Sequence, residues 1–221
     1  MEKIENFEKE FRSLSKLVEK QKLQAILEKK KDILFLNDRN LRCIDEGTPG
    51  GLHLAGSGVL VKDKSLINWD LFDGIYFHQE CGAINFFIKE NNLEENPDEF
   101  AEKFTKDLAK AYGKEFLGKI NLKRPKHFHN ALGIWICGLP GFDFSKEKSL
   151  PPGFIINPFI VKDLNYTLFE INLALNIIEN NGFGKFLKDE KFYLWFINEN
   201  PKRFERNISS NLNLEIMKFN L

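Results

Sequence analysis

The sequence has little that would direct it to an oxidising compartment, a membrane or a nucleic acid. Its 221 residues include only three cysteines, a small and odd number that fits a reducing compartment better than a disulfide scaffold. We find no apolar signal region at the amino terminus and no uncharged apolar run near the ~20 residues of a membrane span. The 32 basic and 32 acidic residues balance, so no net field attracts an anionic partner. These absences predict a cytoplasmic protein with no membrane and no nucleic-acid partner.

The chain also lacks the glycine motifs of nucleotide enzymes and the serine motif of hydrolases. The glycine-rich stretch over residues 47–58 matches neither G-x-G-x-x-G nor G-x-x-x-x-G-K-[ST], which disfavours a nucleotide site. Ser57 stands in Ala-Gly-Ser-Gly, which is not the G-x-S-x-G turn of serine hydrolases. Both classes of enzyme are therefore disfavoured.

The pattern of apolar residues predicts a single α/β domain over residues 1–221. Apolar segments of strand character alternate with segments of helical periodicity. This alternation predicts a mostly parallel β-sheet flanked by helices, and no internal repeat or domain boundary is visible. The strand segments are 33–36, 41–44, 71–77, 131–139 and 192–197, and the helical segments are 2–30, 83–87, 97–112 and 167–178.

Residues 1–31 are predicted to form an N-terminal helical arm. Ile4, Phe7, Phe11 and Leu14 recur at steps of three and four residues, with charged residues between them,. A stripe this narrow predicts that the helix packs on a partner subunit, and packing on the chain's own core is the alternative. The 22 phenylalanines also suggest extensive aromatic packing.

Two short motifs offer a complete set of metal ligands. Cys43 and Asp45 alternate on a predicted strand and so project from one face,. His78 ends another strand, and Cys81 falls where the next helix begins, a place that favours the thiolate. Because the carboxyl ends of parallel strands meet at one edge, we expect the two motifs to converge. Two thiolates, an imidazole and a carboxylate suit zinc better than calcium or magnesium.

These two motifs resemble those of the β-class carbonic anhydrases. That family has a C-x-D-x-R motif at the end of one strand and an H-x-x-C-G-A motif further along the chain. The resemblance covers roughly residues 33–90, and it implies a β-carbonic-anhydrase-like fold. The counterparts in this sequence are Cys43-Ile-Asp45-Glu46-Gly47 and His78-Gln-Glu-Cys81-Gly82-Ala83.

The resemblance also implies roles for individual residues. Cys43, His78 and Cys81 would hold zinc, and Asp45 would be a gate. In a closed state Asp45 would be the fourth ligand, and in an open state it would orient the water on zinc. The backbone N–H of Gly82 would steady the charge that develops in the reaction. The building unit implied by the resemblance is a homodimer or a higher homo-oligomer.

The resemblance implies a carbonic anhydrase (carbonate dehydratase), a zinc lyase with a small-molecule substrate. It would hydrate carbon dioxide reversibly to bicarbonate by means of a zinc-bound hydroxide. One alternative is a hydrolase of a carbon dioxide analogue, carbonyl sulfide or carbon disulfide. The other alternative is a catalytically silent, zinc-bound pseudoenzyme that acts as a binding or assembly module.

The sequence departs from the family pattern at Gly47. The family has an arginine at that place, which holds the aspartate away from the metal, whereas this chain has no side chain there. Arg42 is nearest but is expected to face away, so Arg39 or a residue of a partner subunit is the expected substitute. Alternatively, Glu46 replaces part of the hydrogen bonding that the family arginine provides.

Four further residues have side chains that can ligate a metal or transfer a proton, but they belong to no recognised motif. We expect His53 to be a polar residue near the pocket, with a proton shuttle or replacement ligand as the alternative. His127 and His129 follow a basic segment and are expected to be exposed, with proton transfer as the alternative. Cys137 lies in an apolar run and is expected to be a buried, inert thiol.

Overall fold

The chain forms two four-stranded β-sheets in which every strand pair is parallel. The computed structural model describes residues 2–125 and 128–221. The α/β class and the parallel pairing predicted from the sequence are confirmed, although the strands divide between two sheets. The first sheet contains β1 (Asn40–Arg42), β2 (Leu52–His53), β3 (Gly74–Phe77) and β4 (Glu115–Lys119). The second contains β5 (Gly133–Cys137), β6 (Phe154–Ile156), β7 (Lys191–Ile197) and β8 (Asn213–Phe219).

Helices flank both sheets, and several begin where the sequence predicts. The Asn96 side chain caps the fifth helix by accepting the backbone N–H groups of Asp98 and Glu99 at 2.9 and 3.2 Å,. Among the described residues, no helix is both long and apolar enough to cross a membrane. The α-helices are α1 (Glu2–Ser15), α2 (Lys20–Lys29), α3 (Lys31–Leu34), α4 (Gly82–Glu90), α5 (Pro97–Ala111) and α6 (Leu164–Asn181).

The two sheets repeat one topology. The strand order is β2-β1-β3-β4 in the first sheet and β6-β5-β7-β8 in the second, so each half of the chain follows the same order of second, first, third and fourth strand. The helices between the strands differ, because α4 and α5 connect β3 to β4 whereas α6 connects β6 to β7. The two halves therefore share their strand order but not their connections.

Hydrogen bonds join the two sheets where the strands end. The backbone N–H of Ile155 donates to the carbonyl oxygen of Ile44 at 3.0 Å. The Asn157 side chain accepts the backbone N–H of His53 at 2.9 Å and donates to the carbonyl of Cys137 at 3.0 Å. The carboxyl end of β1, next to the predicted metal ligands, is therefore held against the second half of the chain.

The N-terminal arm packs on the chain's own core. The prediction of one continuous helix over residues 2–30 is wrong, because the chain leaves the helical conformation between α1 and α2. Phe11 is buried, and the ring of Phe7 stacks on Phe128 with 4.4 Å between centroids. Leu23 and Leu27 of α2 are also buried. Packing of this arm on a partner subunit stays a prediction.

Several other elements differ from the sequence prediction. The apolar residues 33–36 were expected as a strand, but α3 includes the first two, and Phe35 forms only an isolated bridge with Phe142. A short apolar run does not distinguish a strand from a helical turn. The strands β2, β4, β6 and β8 were not predicted at all. Aromatic packing is as extensive as expected. The rings of Trp135 and Trp195 stack in the centre of the second sheet with 4.3 Å between their centroids.

Candidate metal centre

Two adjacent strands bring the first two ligands together. β1 pairs in parallel with β3, with Leu41 opposite Ile75. Cys43 directly follows β1 and His78 directly follows β3, so both lie at the same edge of the first sheet. Both side chains are buried, with 4% and 2% of the residue surface exposed. The convergence expected from the two strand ends is therefore present, although Cys43 lies just beyond its strand.

Cys81 reaches the same place from the start of a helix. It is the N-cap residue of α4, at the end that carries the positive pole of the helix dipole,. Between His78 and Cys81 the chain turns through Glu80, whose φ is 56° and whose backbone N–H donates to Asp98 at 2.9 Å. This turn returns Cys81 toward Cys43, and the two sulfurs lie 3.7 Å apart.

The geometry of the three side chains fits a tetrahedral metal ion. Their ligand atoms all lie within 4.8 Å of one another. Two sulfurs at the ~2.3 Å bond length of a tetrahedral zinc would be about 3.8 Å apart, close to the 3.7 Å between Cys43 and Cys81. His78 Nδ1 bonds the carbonyl of Gln79 at 2.8 Å, whereas its Nε2 is buried and lacks any hydrogen-bond partner in the described structure. A bond of this kind fixes the tautomer that leaves Nε2 available for a metal.

The ligand atoms face a small cavity. Its volume is about 10 Å³, which is near the minimum for one water molecule. Gly56 and Ser57 of the glycine-rich stretch, together with Phe77 and Ile84, form much of its wall. The glycine-rich stretch therefore lines the metal centre, and the cavity has room for little more than one ion.

The thiols and the imidazole perturb one another because they are buried together. Hydrogen bonding to Cys81 and burial hold the pKa of the Cys43 thiol well above its usual range. Burial alone would lower the pKa of His78, but the negative charges of Cys43 and Asp45 raise that pKa to about 9. A bound cation would counteract both effects, since metals bind the thiolate and the neutral imidazole.

Asp45 is held away from the three ligands by Arg124. The guanidinium Nε and Nη2 donate to Oδ1 and Oδ2 of Asp45 at 2.9 and 3.0 Å, a two-point pairing that fixes the carboxylate plane. Both side chains are almost fully buried. Although burial by itself raises the pKa of Asp45, His78 and Arg124 lower it to about 2. The carboxylate is thus ionised and turned toward a cation.

The arginine that pairs with Asp45 is neither of the two that the sequence suggested as substitutes for the one missing at position 47. Arg39 forms an exposed pair with Asp73, so the expectation that it substitutes for the missing arginine is wrong. Arg42 faces away as predicted and pairs with Asp38. Arg124 lies 79 residues from Asp45 along the chain, and no local motif marks it.

Gly47 leaves the space that Arg124 occupies. A Cβ at position 47 would lie 2.9 Å from Arg124 Cγ and 2.9 Å from Asp45 Oδ1, both closer than side chains pack. The absence of a side chain at position 47 and the presence of Arg124 are therefore complementary. Arg124 therefore fills the place where a side chain at position 47 would lie.

We expect Gly47→Ala to destabilise the protein by roughly 1 to 3 kcal/mol, the usual cost of overpacking a buried site. The added methyl group would push Arg124 from Asp45. Urea unfolding of the two chains measures the change in free energy. The control is Gly82→Ala, since a Cβ at that position meets only Ile177 Cδ1, at an ordinary contact distance of 3.5 Å. A Gly47→Ala loss no larger than that of Gly82→Ala would contradict the packing argument.

A second buried cluster adjoins the metal centre. His129 Nδ1 lies 2.9 Å from Glu46 Oε2 and 4.0 Å from Asp45 Oδ2. Only 8% of His129 is exposed, so the prediction of an exposed histidine is wrong there, whereas His127 lies outside the described residues. Burial and the neighbouring Asp45 raise the pKa of Glu46. Glu46 pairs with His129, whereas the hydrogen bonds to the Asp45 carboxylate come from Arg124.

The remaining candidates take structural positions. His53 is fully buried, with Nδ1 2.7 Å from the carbonyl of Cys43, and burial lowers its pKa to about 4. It lies outside the group of ligand atoms. Gly82 begins α4 beside the site, where a backbone N–H has no acceptor within the helix. Cys137 is fully buried in β5, as predicted.

Comparison with known proteins identifies no relative, so the role of the site is argued from its geometry. No protein-family model matches the chain, and neither a curated protein nor a solved structure matches it.

Proposed function

We propose that this chain is a zinc-dependent enzyme similar to the β-class carbonic anhydrases, and that it hydrates carbon dioxide reversibly to bicarbonate. The observation that carries the proposal is the unpartnered, buried Nε2 of His78 beside two thiols whose sulfurs are 3.7 Å apart. A buried nitrogen without a partner is costly, and a metal ion would satisfy it. Thiolate and imidazole ligands together favour zinc among the divalent ions.

The number of protein ligands available to the metal supports an enzyme. Structural zinc sites use four protein ligands, whereas catalytic sites use three and keep one position open. Cys43, His78 and Cys81 are the three ligands in the proposal, and Arg124 keeps the Asp45 carboxylate off the metal. When bound, zinc supplies a Lewis acid that lowers the pKa of a coordinated water from ~15.7 to ~7.

The chain's own residues would then orient the reactants. Asp45, ionised by Arg124, accepts a hydrogen bond and so fixes the direction of the attacking oxygen. The backbone N–H of Gly82 at the start of α4 is the candidate donor to the charge that forms on the substrate. Phe77 and Ile84 line the cavity and limit the access of bulk water. Arg124, which pairs with Asp45, also lines a separate hollow of about 400 Å³.

The test is zinc content paired with stopped-flow carbon dioxide hydration on one preparation of the full chain. We expect about one zinc ion per chain, as for a mononuclear site, and hydration that a chelator abolishes and added zinc restores. A chain that binds no zinc would contradict the proposal. Sulfide release from carbonyl sulfide or carbon disulfide, without carbon dioxide hydration, would instead identify the analogue hydrolase.

The size of the cavity favours one second candidate, a zinc-stabilised module without turnover. A volume of about 10 Å³ holds an ion and leaves little space for a substrate molecule. In this candidate the zinc contributes folding free energy, and the chain acts as a binding or assembly module. One zinc ion per chain with no hydration of any substrate is the result that favours it. A homodimer stays a prediction in both cases.

A further inference from the structure

Glu170 is a buried carboxyl group that the proposed reaction does not use. It lies on α6 in the second half of the chain, with 2% of its surface exposed. Its Oε1 accepts a hydrogen bond of 2.6 Å from the backbone N–H of Ala55. Ala55 belongs to the glycine-rich stretch of the first half, so this bond connects the two halves beside the metal centre. Burying a polar group costs free energy that a bond of this kind offsets only in part, which points to a function for the carboxyl group.

The stretch that Glu170 holds has an unusual backbone. Gly56 and Ser57 have φ values of 54° and 51°, and a residue with a side chain rarely adopts this left-handed conformation. Such residues persist only where the surrounding structure holds them. Glu170 holds the turn at Ala55, and the Ser57 hydroxyl holds it at the other end by donating to the carbonyl of Tyr76 at 2.7 Å.

The turn directs a backbone donor at a metal ligand. The N–H of Gly56 lies 3.3 Å from Cys43 Sγ. A hydrogen bond to a ligand sulfur stabilises its negative charge, and bonds of this kind tune the properties of thiolate-ligated metals. The sulfur then donates less charge to the metal, which leaves the metal a stronger Lewis acid.

We propose that Glu170 is a positioning residue for the metal centre. Through Ala55 it holds the turn that aims the Gly56 N–H at Cys43 Sγ, and it thereby sets how much charge that sulfur donates to the metal. This inference rests on the metal site of the proposed function. It assigns to the second half of the chain a part in the metal site.

This role does not require a negative charge on Glu170. Burial raises the pKa of Glu170 to about 8, so the carboxyl group is mostly protonated at pH 7. Tyr166, one turn earlier on α6, has a buried hydroxyl with no hydrogen-bond partner among the residues described. Glutamine has the same acceptor oxygen at the same length, so it should replace Glu170, whereas leucine has no acceptor.

The experiment uses the full chain loaded with cobalt(II), whose thiolate-to-metal absorption band reports the charge on the ligand sulfurs. We expect Glu170→Leu to shift this band and to weaken cobalt binding roughly tenfold, the lower end for residues that support metal ligands. Glu170→Gln should keep both properties near those of the original chain. Chelator competition measures the affinity. The matched control is Leu175→Ala, a fully buried position on the same helix, which should lower stability and leave the band unchanged.

A second variant removes the other partner of the same bond. Ala55→Pro deletes the N–H that Glu170 accepts and should shift the cobalt band as Glu170→Leu does. Leu54 before it has φ −147° and ψ 133°, the extended conformation that a residue before proline adopts. Proline is also tolerated at the first position of a helical turn.

The outcomes separate this inference from the proposed function. An original chain that binds no cobalt and no zinc overturns the metal site itself, before any variant is compared. An original chain that binds cobalt, with an unchanged band in both Glu170→Leu and Ala55→Pro, overturns only the role of Glu170. A shift in Glu170→Gln as large as in Glu170→Leu also overturns it. If Glu170→Leu fails to fold, Ala55→Pro and Glu170→Gln decide.

Discussion

Cys81→Ser is expected to reduce the zinc content of the chain from about one ion to less than about a tenth of an ion, because three protein ligands hold a catalytic zinc. A serine hydroxyl is not ionised near neutral pH and is a poor substitute for a thiolate. The variant should also unfold at a lower temperature, since the free energy of metal binding contributes to folding. Metal analysis and thermal unfolding, each with and without chelator, measure the two effects.

Cys137→Ser is the matched control for that experiment. Cys137 is as buried as Cys81 but lies in β5, outside the group of ligand atoms. The same substitution there places a hydroxyl in the core and should lower stability while the zinc content is retained. Equal zinc loss in both variants would indicate general unfolding, and retained zinc in Cys81→Ser would contradict the assignment of the ligands.

Arg124→Leu is expected to cost roughly 3 to 5 kcal/mol of stability, as when one partner of a buried ion pair is removed. The variant leaves the buried carboxylates of Asp45 and Glu46 without the cation that pairs with both. The freed Asp45 carboxylate can then turn toward the metal and close its open position. We therefore expect zinc to be retained and carbon dioxide hydration to be lost. Urea unfolding, metal analysis and stopped-flow hydration measure the three quantities.

Arg39→Leu is the control for Arg124→Leu. Arg39 pairs with Asp73 at 3.3 Å, but the side chains are 46% and 68% exposed, and an exposed pair contributes less than about 1 kcal/mol. Combining Arg124→Ala with Gly47→Arg should restore part of the lost stability, because removing the Arg124 side chain removes one of the three close contacts of a side chain at position 47 and the new arginine returns a cation to Asp45. Equal losses in Arg39→Leu and Arg124→Leu would contradict the proposed pairing of Asp45.

The ligands of the candidate site were predictable because each depends on a local feature of the chain. Cys43 and His78 follow apolar segments that form adjacent strands, and Cys81 begins a helix. Parallel strands align their carboxyl ends, so residues at those ends meet without further information. The partners of Asp45 were not predictable in this way, since Arg124 follows β4, a strand that the sequence pattern did not reveal.

The α/β class and the convergence of Cys43, His78 and Cys81 follow from the order of the amino acids alone. The division into two sheets of one topology, the burial of His129 and the reach of Glu170 to Ala55 do not. Periodicity and motifs report how each segment folds with its neighbours in the chain. The hydrogen bonds and ion pairs around Asp45 and Cys43 join residues far apart in the chain. They form because the tertiary structure brings those residues together at the candidate metal site.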